Sequence, residues 1–241
     1  MKLQREFILI DRQALKRSWE IIIPFHVAFM ILGIFPIIDK MKSINLLYGL
    51  LLNCGYQLLL ILLICFLLKD YLQQSWSAFM GERIGRRIKD ILVGFLLCFA
   101  LYVAFRLVIT VCSMLLLQGE SHNQVNLNEY AASFPILFCF LSVVVGTFTE
   151  ECIYRGIIFQ TLRKYSRVLA CLGSGLLFGM MHMLSTFADG ELGIAQIIVL
   201  MLTYAIGGIA EAVVQERYRN IWVNYFVHFI WNTIGALQIF M

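Results

Sequence analysis

The feature that most limits how this chain can fold is a succession of apolar blocks, each about 20 residues long, separated by short polar segments. A helix rises 1.5 Å per residue, so about 20 residues match the ~30 Å hydrocarbon core of a bilayer. Barrel strands are about half that length and alternate apolar with polar residues, a pattern these blocks lack. Mean hydropathy is +0.82, and charged residues are 14% of the 241, against roughly a quarter in a soluble domain. The chain therefore reads as an all-α, polytopic membrane protein. Residues 21–241 form a single transmembrane domain. Residues 1–20 read as a cytosolic amphipathic segment: Phe7, Leu9, Ile10, Leu15 and Trp19 stand among basic residues. Their apolar run is too short for a signal peptide and fits a helix lying on the membrane surface.

Seven spans are expected: 21–38, 46–68, 91–117, 134–162, 168–187, 192–214 and 221–241. The fourth is apolar to Thr149 and then carries Glu150, Glu151 and Arg155, so its second half must face protein rather than lipid. Lys and Arg support the count. Alternate connecting segments hold 15 of them on one side and 2 on the other, with Arg106 and Arg155 inside spans. That asymmetry places the N-terminus in the cytosol. The net charge of +4 is thereby used in orientation, and no basic block points to nucleic acid. The seven cysteines form no C-x-x-C and read as reduced packing residues.

Ionisable groups inside a bilayer are costly and mark function by default. Glu151 and Arg155 lie four apart and share a helix face, as do Phe178 and His182, and His228 and Asn232. Glu150 is rotated about 100° from Glu151, so an ion pair between Glu151 and Arg155 leaves Glu150 as a free carboxylate facing a cavity. Counted from the cytosolic ends, Glu150, His182, His228 and Asn232 cluster at roughly 12–22 Å depth. Such a carboxylate can act as general base towards water. An imidazole and an amide on one face can donate to an oxyanion, and His182 can orient the water or protonate a leaving amine. Alternatively Glu150, His182 and His228 can hold a divalent metal such as zinc.

The three patterns are E-E-C-I-Y-R from Glu150 to Arg155, F-G-M-M-H from Phe178 to His182, and H-F-I-W-N from His228 to Asn232. In this order they resemble the type II CAAX prenyl protease and bacteriocin-processing family, also called the Abi family. The resemblance covers about residues 134–238. It implies an intramembrane endopeptidase with Glu150 as the catalytic glutamate, completed by Glu151, His182, His228 and Asn232 and supported by Arg155. It also implies a membrane-associated or lipidated peptide as substrate, with a role in peptide maturation or bacteriocin immunity. The short chain leans towards a bacterial setting. Both metal-dependent and glutamate-only mechanisms have been argued for the family.

Other readings compete. Glu150, His182 and His228 can serve a proton relay in a small transporter, although the three prolines at 24, 36 and 135 leave the motif-bearing helices unbroken. An idle scaffold is a third reading. Ser174 lacks the glycine two places earlier that a rhomboid-like motif has, and there is no H-E-x-x-H. Tyr154 and Phe178 read as packing residues, Arg106 as a partner for an acid or for a substrate carboxylate, and Glu211 as an interface residue near the end of its span. His26 and His122 read as incidental.

Overall fold

The computed structural model describes residues 6–30, 45–116, 128, 131–183 and 193–240. Among these, all regular structure is helical. Helix α1 (Arg12–Glu20) starts where the Asp11 carboxylate accepts from the Gln13 and Ala14 amides at 2.8 and 3.2 Å, an N-cap that satisfies two otherwise unpaired donors. The short α2 (Ile22–Ala28) follows at once. Then come α3 (Leu46–Leu67), α4 (Lys69–Met80) and α5 (Ile84–Leu116). Next is a long helix α6 (Pro135–Arg163) that includes π-helical turns at Phe140–Gly146 and Glu151–Ile158. Helices α7 (Arg167–His182), α8 (Ile194–Tyr218) and α9 (Ile221–Phe240) complete the bundle.

Stretches of α3, α5, α6 and α8 are each long and apolar enough to cross a membrane, and the protein is an integral membrane protein. The expected first and fifth spans run beyond α2 and α7 into residues 31–38 and 184–187, which lie outside the described residues, as does His122. The fourth span is one continuous helix, and all eight residues of its turn Glu151–Ile158 are buried. The stretch from Lys69 to Ile91 differs from the sequence expectation in two ways. The connecting segment 69–90 contains α4, whose buried face is Tyr71, Leu72, Ser75 and Phe79. It docks on the start of α9, where Asn220 Nδ2 donates to Ser75 O at 2.9 Å and Trp222 Nε1 donates to Leu72 O at 3.3 Å. Helix α5 also starts seven residues earlier than the expected span at Ile91, because Arg86, Arg87 and Lys89 are good helix formers.

Two tight turns set the levels of the site. Between α8 and α9 stand only Arg219, in the left-handed region at φ 54°, and Asn220, whose Oδ1 accepts from Trp222 N at 2.9 Å. Glu211 precedes Tyr218 by seven residues and His228 follows Ile221 by seven. Both therefore lie about 10 Å from the turn, at one depth. The α6–α7 turn works alike. Ser166 caps α7 by accepting from Leu169 N at 2.9 Å, and Ser174 donates back to Tyr154 O at 2.9 Å, so the hydroxyl has a structural role.

Helix α7 packs most extensively on α8, and glycine is what lets the backbones meet. A Cβ at Gly179 would stand 2.5 Å from Met201 O and 2.7 Å from Ala205 N, as at other small-residue helix crossings in membranes. Gly179→Ala is expected to lower stability by about 1–3 kcal/mol, because backbone cannot step aside. Gly207→Ala, whose Cβ would meet nothing within 4 Å, is the control. Thermal unfolding in detergent that is equally affected by both would refute the close-approach argument.

Candidate active site

Glu151 lies at the centre of a buried polar cluster. Its side chain is fully enclosed, and it meets three neighbours. Arg155 Nη1, one turn along α6, is 3.2 Å from Oε1. His228 Nδ1 is 2.8 Å from the same oxygen, and Asn224 Nδ2 donates to Oε2. Arg155 is equally enclosed. Its Nη2 donates to Gly208 O at 3.2 Å and to Glu211 Oε2, and its guanidinium lies over Phe178 with 5.0 Å to the ring centroid. Glu211 Oε1 is also 3.5 Å from His228 Nδ1. One guanidinium therefore ties α6 to α8, and one imidazole ties both to α9. Buried charges persist in apolar surroundings only when paired in this way.

Glu150 stands apart from this cluster, with its side chain 28% exposed. Oε1 is 3.9 Å from His182 Nε2 and Oε2 is 3.7 Å from His228 Nε2. Both rings are held from behind. His182 Nδ1 is 2.9 Å from Phe178 O. A carbonyl only accepts, so Nδ1 carries the hydrogen and Nε2 is the lone-pair nitrogen of the neutral ring. His228 Nδ1 is fixed against the Glu151 carboxylate in the same sense. The His182 ring is also clamped between Phe178 and Tyr204, with centroids 4.3 and 4.7 Å away. Asn232, one turn beyond His228, donates from Nδ2 to Thr147 Oγ1 at 2.9 Å, and so reaches the turn before Glu150 rather than Glu150 itself.

Two donor sets meet here. Ligand atoms of Glu151, Glu211 and His228 lie within 4.8 Å of one another, but Arg155 already contacts both carboxylates, and a cation would have to displace it. In the set Glu150, His182 and His228, both imidazoles present Nε2 while Nδ1 is held by an acceptor, the arrangement that orients metal-ligating histidines. The two gaps run to different oxygens of Glu150, and one ligand atom from each of the three residues does not come within the 4.8 Å span of the first set, so these residues have the donor chemistry for a divalent ion but would have to draw together to hold one.

Residues 132–234 match the model of the family described as type II CAAX prenyl endopeptidase Rce1-like. The site-bearing segment is Rce1-like. The chain is also similar to UPF0177 protein YvdC of Lactococcus lactis subsp. lactis (strain IL1403), 27% identical over 163 residues, 68% of this chain and 54% of that protein. It is 30% identical over 120 residues to "Putative membrane peptidase YdiL" of Bacillus subtilis (strain 168), covering 49% of this chain and 43% of that one. The chain spans about half the length of the curated relatives it matches. No solved structure matches it. The Rce1-like segment contains every residue drawn from the three motifs, and α1 to α5 lie outside it.

Two residues of the cluster, Glu211 and Asn224, and one beside it, His26, have roles that the sequence alone does not reveal. Glu211 does not extend to the interface; it is 3% exposed and paired with Arg155. The expected span ended at Val214, whereas α8 runs to Tyr218, so Glu211 sits two turns inside. Asn224 belongs to one ladder at spacing four with His228 and Asn232, and it donates to Glu151. His26 is not incidental: its Nδ1 is 2.5 Å from Tyr56 Oη and its Nε2 is 3.3 Å from Tyr154 Oη.

Proposed function

We propose that this chain is an intramembrane endopeptidase of the CAAX type, with a cytosolic N-terminus, that hydrolyses a peptide bond in a membrane-associated or lipidated peptide. The observation that carries this reading is the convergence of two imidazole Nε2 atoms, each fixed at Nδ1, on the two oxygens of Glu150. Gaps of 3.7 and 3.9 Å are too wide for direct hydrogen bonds and suit an intervening water.

Glu150 takes a proton from that water as the water oxygen bonds to the scissile carbonyl carbon. The C–N bond then breaks, and Glu150 returns the proton to the leaving nitrogen. His182 orients the water through Nε2. One N–H of Asn232 is held by Thr147, and the second, given no partner among the described residues, donates to the developing oxyanion. Glu151, Glu211, Arg155 and Asn224 act through His228 as positioning residues. A divalent ion such as zinc would be held by Glu150, His182 and His228, and when bound it supplies Lewis-acid activation of the water. Tyr204→Leu, which frees one face of the His182 ring, is expected to reduce kcat roughly tenfold while the fold persists. Unchanged turnover would remove Tyr204 from the site.

The Rce1-like segment favours a lipidated tail as substrate, and the relative named as a putative membrane peptidase favours peptide cleavage; the setting proposed is peptide maturation or bacteriocin immunity. The test is incubation of the purified chain in nanodiscs with a farnesylated Cys-tailed peptide, its unlipidated counterpart and a single-span peptide. Products are read by mass spectrometry, with and without a chelator followed by zinc. Cleavage at one bond, faster in the lipidated peptide, is the expected result. Intact peptides throughout, with the protein folded, would contradict the endopeptidase reading. A loss under chelator that zinc reverses assigns the metal-assisted form.

A further inference from the structure

The helical turn that bears Glu150 is only Thr147–Glu150, and it is bracketed by the two π-helical segments of α6. Widened turns of this kind recur at functional sites and weaken the regular backbone ladder on either side. The rotation of Glu150 about the helix axis therefore needs support from outside α6.

That support comes from helices outside the Rce1-like segment. On one side of Glu150, the buried Thr149 hydroxyl shares its proton between Gly146 O at 2.9 Å and Gln57 Oε1 of α3 at 3.3 Å. On the other side, Tyr154 lies one turn after Glu150 and is 2% exposed. Its phenol is 3.3 Å from His26 Nε2 of α2, whose Nδ1 is 2.5 Å from the phenol of Tyr56 on α3. A neutral imidazole has one donor and one acceptor nitrogen, and a phenol can play either part, so the Tyr–His–Tyr chain is satisfied at every link. Stacking fixes the far end: Phe29 lies parallel to Tyr56 with centroids 3.6 Å apart. The near end leads back to the site, since Tyr154 meets Phe178 edge-on at 5.1 Å and Phe178 packs on His182. Polar groups within a membrane bundle are expensive to bury without use, and the three from α2 and α3 are spent on Thr149, one place before Glu150, and Tyr154, one turn after it.

We propose that His26, Tyr56 and Gln57 are positioning residues for Glu150, so that α2 and α3 complete an active site whose reacting groups all lie in the Rce1-like segment. This rests on the endopeptidase reading for its kinetic consequence but not for its geometry.

The test uses Tyr56→Phe, which keeps the ring and its stacking and removes only the hydroxyl, together with His26→Phe and His26→Gln in the full chain. With the farnesylated Cys-tailed peptide as probe, Tyr56→Phe and His26→Phe are expected to lower kcat roughly tenfold with KM and thermal unfolding unchanged. His26→Gln, which keeps one donor and one acceptor, is expected to recover part of the loss. In parallel, an apolar carbodiimide is reacted with each protein without substrate, and labelling of Glu150 is read by peptide mass spectrometry. A several-fold change in its rate is expected in the two phenylalanine variants. Unaltered kcat, or a loss that follows the unfolding temperature, would overturn the proposal. If the wild type cleaves no peptide, the endopeptidase reading fails and the labelling decides alone: a changed rate supports the positioning role, and an unchanged rate overturns it.

Discussion

Arg155→Met is expected to destabilise the protein by about 3–5 kcal/mol, the cost of leaving buried carboxylates without their cation. Arg155 has no exposed surface, and it contacts Glu151 on its own helix, Glu211 on α8 and the Gly208 carbonyl. Methionine fills similar space but leaves two acids facing each other across His228. The sign of this effect depends on the acids. The triple variant Arg155→Met, Glu151→Gln, Glu211→Gln removes the charges together, and much of the lost stability should return, as when buried ion pairs are replaced whole. Chemical unfolding of the single and triple variants in one detergent measures both. A triple variant weaker than the single would show that the cluster holds the fold by shape rather than by charge compensation.

Glu150→Gln is expected to do the opposite: stability holds and turnover falls on the order of 10²–10⁴-fold, the usual weight of a general base. Glu150 is partly exposed and stands 3.7 Å or more from both imidazoles, so an amide of the same shape disturbs no packing. Glu151→Gln differs from it. That carboxylate fixes His228 and faces Arg155, so its loss should reduce both turnover and stability. The two adjacent glutamates are thus separable by comparing activity with unfolding, even though one place in sequence divides them.

Much of this arrangement is legible in the sequence, for a physical reason. In a bilayer every charged group stands out against an apolar background, and spacing four on a helix tells which of them share a face. Glu151 with Arg155, and His228 with Asn232, are read that way. What spacing does not contain is the partner on another helix. The pairing of Arg155 with Glu211 depends on where α8 ends. The polar run Gln215, Glu216, Arg217 resembles a loop, but it is helical because Glu216 is held by Arg163 at 2.6 Å and Arg167 at 3.3 Å. His26 has no periodic companion, and its partners Tyr56 and Tyr154 lie 30 and 128 residues away. Helix α4 was hidden because Lys69, Asp70 and two glutamines dilute its apolar face. The period is nevertheless present at Tyr71, Ser75 and Phe79.

The most direct measurement is the rate at which equal amounts of folded wild type and Glu150→Gln protein, matched by unfolding temperature in nanodiscs, cleave the same lipidated peptide. A single defined product is expected from the wild type, with a loss of at least about a hundredfold in the variant. Equal rates from both proteins would contradict this, because water would then be activated by some group other than the carboxylate on which His182 and His228 converge.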